Sequence, residues 1–331
     1  MVGCNSEEEP VDLGDPPVQL DVPDVAPEEL AAGVEEALAT ALAIDLREVW
    51  PAHVETLELA SPGCPDFYAG TPDLENNEIP EDLGWSWSDL CTATGDRRYA
   101  GWAWWDNTVE VSGDASDNVG ATTEASRTIV SDGLMALGDE VQLEFDGEAS
   151  DSVLRVEATD YMSWSYSSLF DATVTGVLAD TLTPGGLRAE LFTRATGGDA
   201  DTLELRGNVH FFEHRIRDRY DSITVDLLWA APSSTSPDDC AEEPRGWIGV
   251  RDENAFWTEL IFQPRYDDDV TDDPYDNVPL NVCDGCANVY IRGVKQDFTV
   301  CPDFSFVWDG GLSAPEANAY ALDMRTLLAD L

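Results

Sequence analysis

Val141-Gln142-Leu143-Glu144-Phe145 alternates apolar and polar residues at every step, and Ile223-Thr224-Val225-Asp226-Leu227 repeats the pattern. Successive side chains of a strand point to opposite faces, so each run has one buried and one wet face. That is the mark of an antiparallel sheet with solvent on one side. With the runs that contain these two, the strand-like stretches are 99–105, 140–145, 153–158, 172–178, 187–194, 203–211, 223–229, 247–250, 256–262, 289–292 and 304–308. Clusters such as Thr183-Pro184-Gly185-Gly186 and Gly197-Gly198-Asp199 stand between them and supply turn chemistry. No βαβ rhythm appears, which argues against a parallel sheet.

Helical spacing is clearest towards the two ends. Pro27 suits a first helical turn, Glu28 and Glu29 suit the dipole there, and Leu30, Val34, Leu38, Leu42 and Val49 form an apolar stripe. Pro51 is expected to end this helix. Near the other end Ser313 and Glu316 read as a capping box, with Ala317, Tyr320, Met324, Leu327, Leu328 and Leu331 on one face. The expected fold is mostly β: an antiparallel β-sandwich or curled sheet with an N-terminal and a C-terminal helix. The 331 residues, 43% hydrophobic, are enough to fill a real core.

The net charge is −50. A surface this acidic repels nucleic acid, so nucleic acid is not an expected partner, whereas cations, cationic polymers and basic proteins are attracted. The acids are spread along the whole chain, which favours a solvated surface suited to a salty medium over dedicated cation sites. Lys295 is the sole lysine.

The chain has seven cysteines, an odd number. Met1-Val2-Gly3-Cys4 looks like the end of a bacterial lipobox, with Cys4 the lipidated residue. Setting Cys4 aside leaves Cys64, Cys91, Cys240, Cys283, Cys286 and Cys301, an even set suited to disulfides. Cys64 with Cys91 is a plausible local bridge, and the other four allow three pairings that spacing does not choose between. Residues 5–26 are acidic, rich in proline and free of aromatics, and read as a disordered tether. The expected organisation is a lipobox remnant and tether over 1–26, then a β-rich extracytoplasmic body over 27–331.

The Val2-Gly3-Cys4 start, the acidic tether, Cys64-Pro65, Cys91-Thr92-Ala93-Thr94-Gly95 and Cys283-Asp284-Gly285-Cys286 together resemble cysteine-containing surface lipoproteins of Gram-negative bacteria. The resemblance implies an address, at the outer membrane or cell surface through a lipid anchor, and implies no activity.

Candidate chemistry is sparse. His210-Phe211-Phe212-Glu213-His214 matches the inverted zinc-protease pattern, in which two histidines bind the metal and the glutamate activates water. The pattern requires a helix. In a strand His210 and His214 lie roughly 13 Å apart, too far to share an ion, and the run leading into them reads as a strand; the competing helical reading has Asn208 as cap and Val209, Phe212, Ile216 and Tyr220 at helical spacing. Asp267, Asp269, Asp272, Asp273 and Asp276 form a dense acid loop that is a candidate for calcium, the one cofactor suggested, although the EF-hand pattern fails there. Asp114 and Asp117 are a thinner candidate. Arg206, Arg215, Arg217 and Arg219 are expected to pair with carboxylates. Trp85, Trp87, Trp102 and Trp104 crowd around Cys91, and aromatic faces on a sheet are a common way to stack sugars. The expected function is that of an exported, lipid-anchored surface protein, structural or ligand-binding and non-enzymatic. The alternatives are a carbohydrate-binding module using the tryptophans, and a zinc hydrolase using His210, Glu213 and His214.

Overall fold

The computed structural model describes residues 25–55, 66–67, 82–92, 97–112, 122–138, 141–156, 161–176, 185–197, 202–212, 214–230, 244–262 and 285–307. Alternating runs become strands, and each strand pairs with the next in sequence. The order is β1 (Asp66–Phe67), β2 (Asp82–Thr92), β3 (Arg98–Ser112), β4 (Thr122–Leu137), β5 (Val141–Val156), β6 (Tyr161–Gly176), β7 (Gly185–Gly197), β8 (Thr202–Phe212), β9 (Tyr220–Ala230), β10 (Arg245–Asp252), β11 (Trp257–Ile261), β12 (Ala287–Ile291) and β13 (Val294–Val300). Among the described residues they form a 13-stranded sheet in sequence order. Every neighbouring pair is antiparallel. The fold is therefore mostly β, an antiparallel sheet flanked by short helices.

The sequence runs 140–145 and 153–158 are two parts of one strand, β5. The expected strand at 304–308 is a correction. Asp303 accepts the Ser305 backbone N–H at 2.9 Å and turns the chain into a three-residue helix, α3 (Ser305–Val307). Such side-chain capture of a backbone donor competes with strand pairing.

The first helix, α1 (Pro27–Ile44), starts at Pro27 as expected and buries Leu30, Val34, Leu38 and Leu42. Pro51 does not end the helical segment. The backbone widens into a π-turn at Asp45–Val49, where the Trp50 N–H reaches the Asp45 carbonyl, and α2 (Trp50–Glu55) continues through Pro51. A proline has no N–H to give and its ring crowds the carbonyl four residues back. The π-turn lies over that stretch, so Pro51 falls in the first turn of a new helical segment, where proline is tolerated.

These helical segments cross the strands on one face of the sheet. Gly33 packs under the Tyr220 ring of β9, so closely that an added Cβ would collide with it. Asp45 meets Tyr166 and Ser168 of β6, and His53 meets Ser131 of β4 and Phe145 of β5. The Tyr99 hydroxyl of β3 donates to the Ala52 carbonyl at 3.1 Å. From residue 33 to residue 53 a helix rises about 30 Å. From β9 to β4 the sheet spans five spacings, about 24 Å. The two lengths agree with a helix laid across the strands. The inner face is apolar, with Leu143, Phe145, Phe170, Leu187, Leu191, Leu203, Leu205, Ile223, Val225, Ile248 and Leu260 buried. Burial of this surface is the main force holding the sheet to the helices. Cys286 and Cys301 form a disulfide that ties the start of β12 to the residue after β13.

Candidate functional site

The other face of the sheet is where side chains with chemistry meet solvent. On β5, β6 and β7 the exposed or half-buried positions alternate with the buried core positions. Register aligns these outer positions into rows across the strands. One row runs Asp106, Thr128, Ser150, Ser167, Phe192, Arg206, Asp226. The next runs Ser126, Ser152, Ser165, Arg194, Glu204. Three adjacent strands thus bring together Ser126, Thr128, Ser150, Ser152, Ser165 and Ser167. Ser150 and Ser167 hydroxyls lie 2.7 Å apart, and so do those of Ser152 and Ser165. These hydroxyls and Phe192 line a small depression of about 140 Å³.

Beside it lies a cleft of about 380 Å³, lined by Glu148, Ser150, Ser167, Leu169, Glu190, Phe192 and Arg206. Leu169 is 55% exposed on its floor, unusual for a leucine at the centre of a sheet. Arg206 is held by Glu204 and Asp226, and Glu204, only 4% exposed, is also reached by Arg194 at 3.6 Å. The arginine charges at this end of the cleft are thus matched by carboxylates. Glu190 receives a long hydrogen bond from the Asn208 amide at 3.5 Å.

Trp102 and Trp104 lie on the same outer face of β3, stacked on each other with ring centroids 6.3 Å apart and planes 23° from parallel. Trp104 pairs in register with Val130, whose partner is Glu148, so the tryptophans and the cleft belong to one surface. Trp85 and Trp87 pair with Ala103 and Gly101, the positions that alternate with Trp102 and Trp104. The register therefore assigns the two pairs of positions to opposite faces.

A second polar group sits further along the outer face. His210 is on β8, with its Nδ1 2.7 Å from the Ser222 hydroxyl and 3.1 Å from the Arg251 guanidinium. Asp221 accepts from Arg251 at 2.8 Å and from Ser222 at 3.1 Å. The serine and histidine are at the distance of a nucleophile and its base. Yet the cationic donor on Nδ1 competes for the lone pair that would take the serine proton, and Ser222 is only 7% exposed. This is a hydrogen-bonded network between strands, with Phe212 and Trp257 against His210 and Arg251. The strand setting of His210 also separates it from the helical geometry that zinc chelation by His210 and His214 requires, and Glu213 lies outside the described residues. No group of three or more metal-ligating side chains converges among the described residues.

On the sealed face Asp45 and His53 are fully buried. Asp45 accepts from the Tyr166 hydroxyl at 2.6 Å and from the Ser168 hydroxyl at 2.7 Å. Burial raises its pKa to about 7, against the pull of those two hydrogen bonds. Burial holds the His53 pKa down at about 3, so its ring is neutral.

Other sequence candidates lie outside the described residues: Cys4, Cys64, Cys240 and Cys283, Asp114 and Asp117, the calcium candidates Asp267, Asp269, Asp272, Asp273 and Asp276, and the C-terminal helix. Cys91 lies in β2. Arg215 and Arg217 pair with Glu253 and Glu36, as the carboxylate expectation requires. The hydroxyl rows and the cleft were not expected from the sequence. The signal available was the spacing of Ser150-Asp151-Ser152 and Ser163-Trp164-Ser165-Tyr166-Ser167, which is strand alternation written in serine. No family model, no curated protein and no solved structure matches this chain.

Proposed function

We propose that the chain is an exported protein, held at a membrane by lipid on Cys4, whose body is a non-catalytic binding module with glycans as its ligand. Its sheet curls about the N-terminal helices, so that one face is sealed and the other is left to bind. The observation that carries the binding reading is the stacked Trp102 and Trp104 pair on the same open face as two rows of serine and threonine hydroxyls. Sugars present C–H faces to aromatic rings and hydroxyls to polar side chains, and an open sheet face can follow an extended polymer.

Support for curling comes from Gly147 and Gly207, both within strands and both at positive φ, 152° and 132°. A Cβ at Gly147 would run into the Leu169 carbonyl and one at Gly207 into the Glu190 carbonyl. Glycine kinks of this kind let a sheet bend. Support for export comes from the Cys286–Cys301 disulfide, which suits an oxidising compartment, and from the lipobox-like start with its tether.

The test is retardation of the purified protein in gels containing soluble polysaccharides, with tryptophan fluorescence followed in parallel. A retarding polysaccharide should also shift the fluorescence, and Trp102→Ala/Trp104→Ala should lose both effects. Unchanged retardation in that variant would remove the open face from the account. The anchor is tested by incorporation of labelled palmitate, expected in the parent and absent from Cys4→Ala.

A further inference from the structure

Glu148 and Glu190 both pair in register with Leu169, one from each side, so they are rooted two strand spacings apart, about 10 Å. Both are exposed at the rim of the 380 Å³ cleft, with the Leu169 side chain between them and Phe192 beside it. Two glutamate side chains at this separation can both reach a cation held above the leucine. The guanidinium in the cleft, Arg206, is already matched by Glu204 and Asp226, so it does not cancel the two glutamates. The chain as a whole, at −50, deepens the same negative potential.

We propose that this cleft binds the amino-sugar units of a cationic glycan, with the ammonium group between Glu148 and Glu190. The proposal rests on the reading of the open face as glycan-binding and names the class of glycan. The apolar C–H face of the ring lies on Leu169 and Phe192. The paired hydroxyls of Ser150 and Ser167 exchange hydrogen bonds with the sugar hydroxyls at the cleft's other wall. An anionic glycan meets repulsion from both glutamates, and an N-acetylated one keeps the ring contacts but offers no charge. The stacked rings of Trp102 and Trp104 offer the same C–H contacts to either form.

The experiment is a calorimetric titration of the full chain with glucosamine oligomers and with N-acetylglucosamine oligomers of equal length, at low and high salt. The expected result is about tenfold tighter binding of the amine form at low salt, shrinking as salt rises. Glu148→Gln/Glu190→Gln should abolish that preference, bringing the amine form to the affinity of the N-acetyl form. Glu144→Gln/Asp297→Asn, which removes equal charge from exposed positions of β5 and β13, should preserve it. Both pairs of substitutions are at exposed sites, and an unchanged thermal melt confirms the fold. Equal affinity for the two oligomers would overturn the amino-sugar proposal and leave the glycan reading standing. Absence of binding to either, and to every polysaccharide in the panel, would remove both. A lysine oligopeptide of matched charge that binds as tightly as the amine oligomer would overturn the proposal in favour of an unselective cation surface.

Discussion

Replacing Asp45 by asparagine removes one proton-binding site from the sealed face and leaves its shape. In the folded chain burial lifts the Asp45 pKa from 3.8 to about 7. Between those values the folded state holds a proton that the unfolded state has released, so stability falls as pH rises through that window and is level above it. The lift from 3.8 to about 7 is worth about 4 kcal/mol. The asparagine amide binds no proton, so the variant lacks this fall. That amide still accepts from one of the Tyr166 and Ser168 hydroxyls and makes the other accept, but the cost does not depend on pH and shows as a constant offset. Stability of Asp45→Asn minus that of the parent should therefore climb by up to about 4 kcal/mol from pH 4 to pH 8. Taking the difference cancels the repulsion among the other acids, which both proteins share. His53 sets an opposite slope. Burial depresses its pKa from 6.5 to about 3, so the unfolded state binds the extra proton there and stability rises with pH across that range. In the parent the two slopes oppose each other from about pH 4 to 6.5, and the variant should reveal the rising one alone. The assay is urea unfolding at half-unit pH steps. Parallel curves for parent and variant from pH 4 to 8 would refute the argument that Asp45 is buried and titrates near neutrality.

Gly207→Ala places a methyl group against the Glu190 carbonyl at a φ of 132°, and should cost about 2 kcal/mol or more in a denaturant titration. Cys286→Ser/Cys301→Ser opens a disulfide spanning 15 residues and should lower stability by about 3 kcal/mol in a denaturant titration. Ser150→Thr/Ser167→Thr should raise the melting temperature slightly, by better strand propensity, and weaken glycan retardation, because the added methyls enter the cleft.

How much of this was legible depended on which face a residue serves. β5, β8 and β9 could be read because their inner positions are uniformly apolar: Leu143 and Phe145, Leu203 and Leu205, Ile223 and Val225. β6 was read only in its second half. Its first half places Tyr166 and Ser168 inward to meet Asp45, so the apolar half of the alternation is missing where the helix offers a carboxylate. β13 went unread because its Val294, Lys295 and Asp297 are all exposed at a sheet edge, where one lysine also discourages further strand pairing. Pro51 misled because proline marks a helix end only when nothing upstream widens the backbone, and a π-turn leaves no simple signature in residue types. The hydroxyl rows were hidden for a different reason. Serine is a turn residue by composition, and only the register shows that serines from separate strands stand side by side.

The serines also argue that the two faces answer to different demands. Serine packs poorly on a pleated surface, and valine or threonine at the same outer positions would strengthen the sheet. Yet the serines fall in adjacent register positions on β5 and β6, where a purely stabilising face would carry β-branched residues. The exposed Leu169 points the same way, since a charged residue there would be more soluble at no cost to the core. Departures from local preference concentrate where a surface has a use other than stability. On the sealed face the departures include Asp45 and His53, whose effects on stability oppose each other across mildly acidic pH. On the open face the Ser150–Ser167 and Ser152–Ser165 hydroxyl pairs offset part of the weak serine propensity, and the exposed Leu169 is the departure they leave.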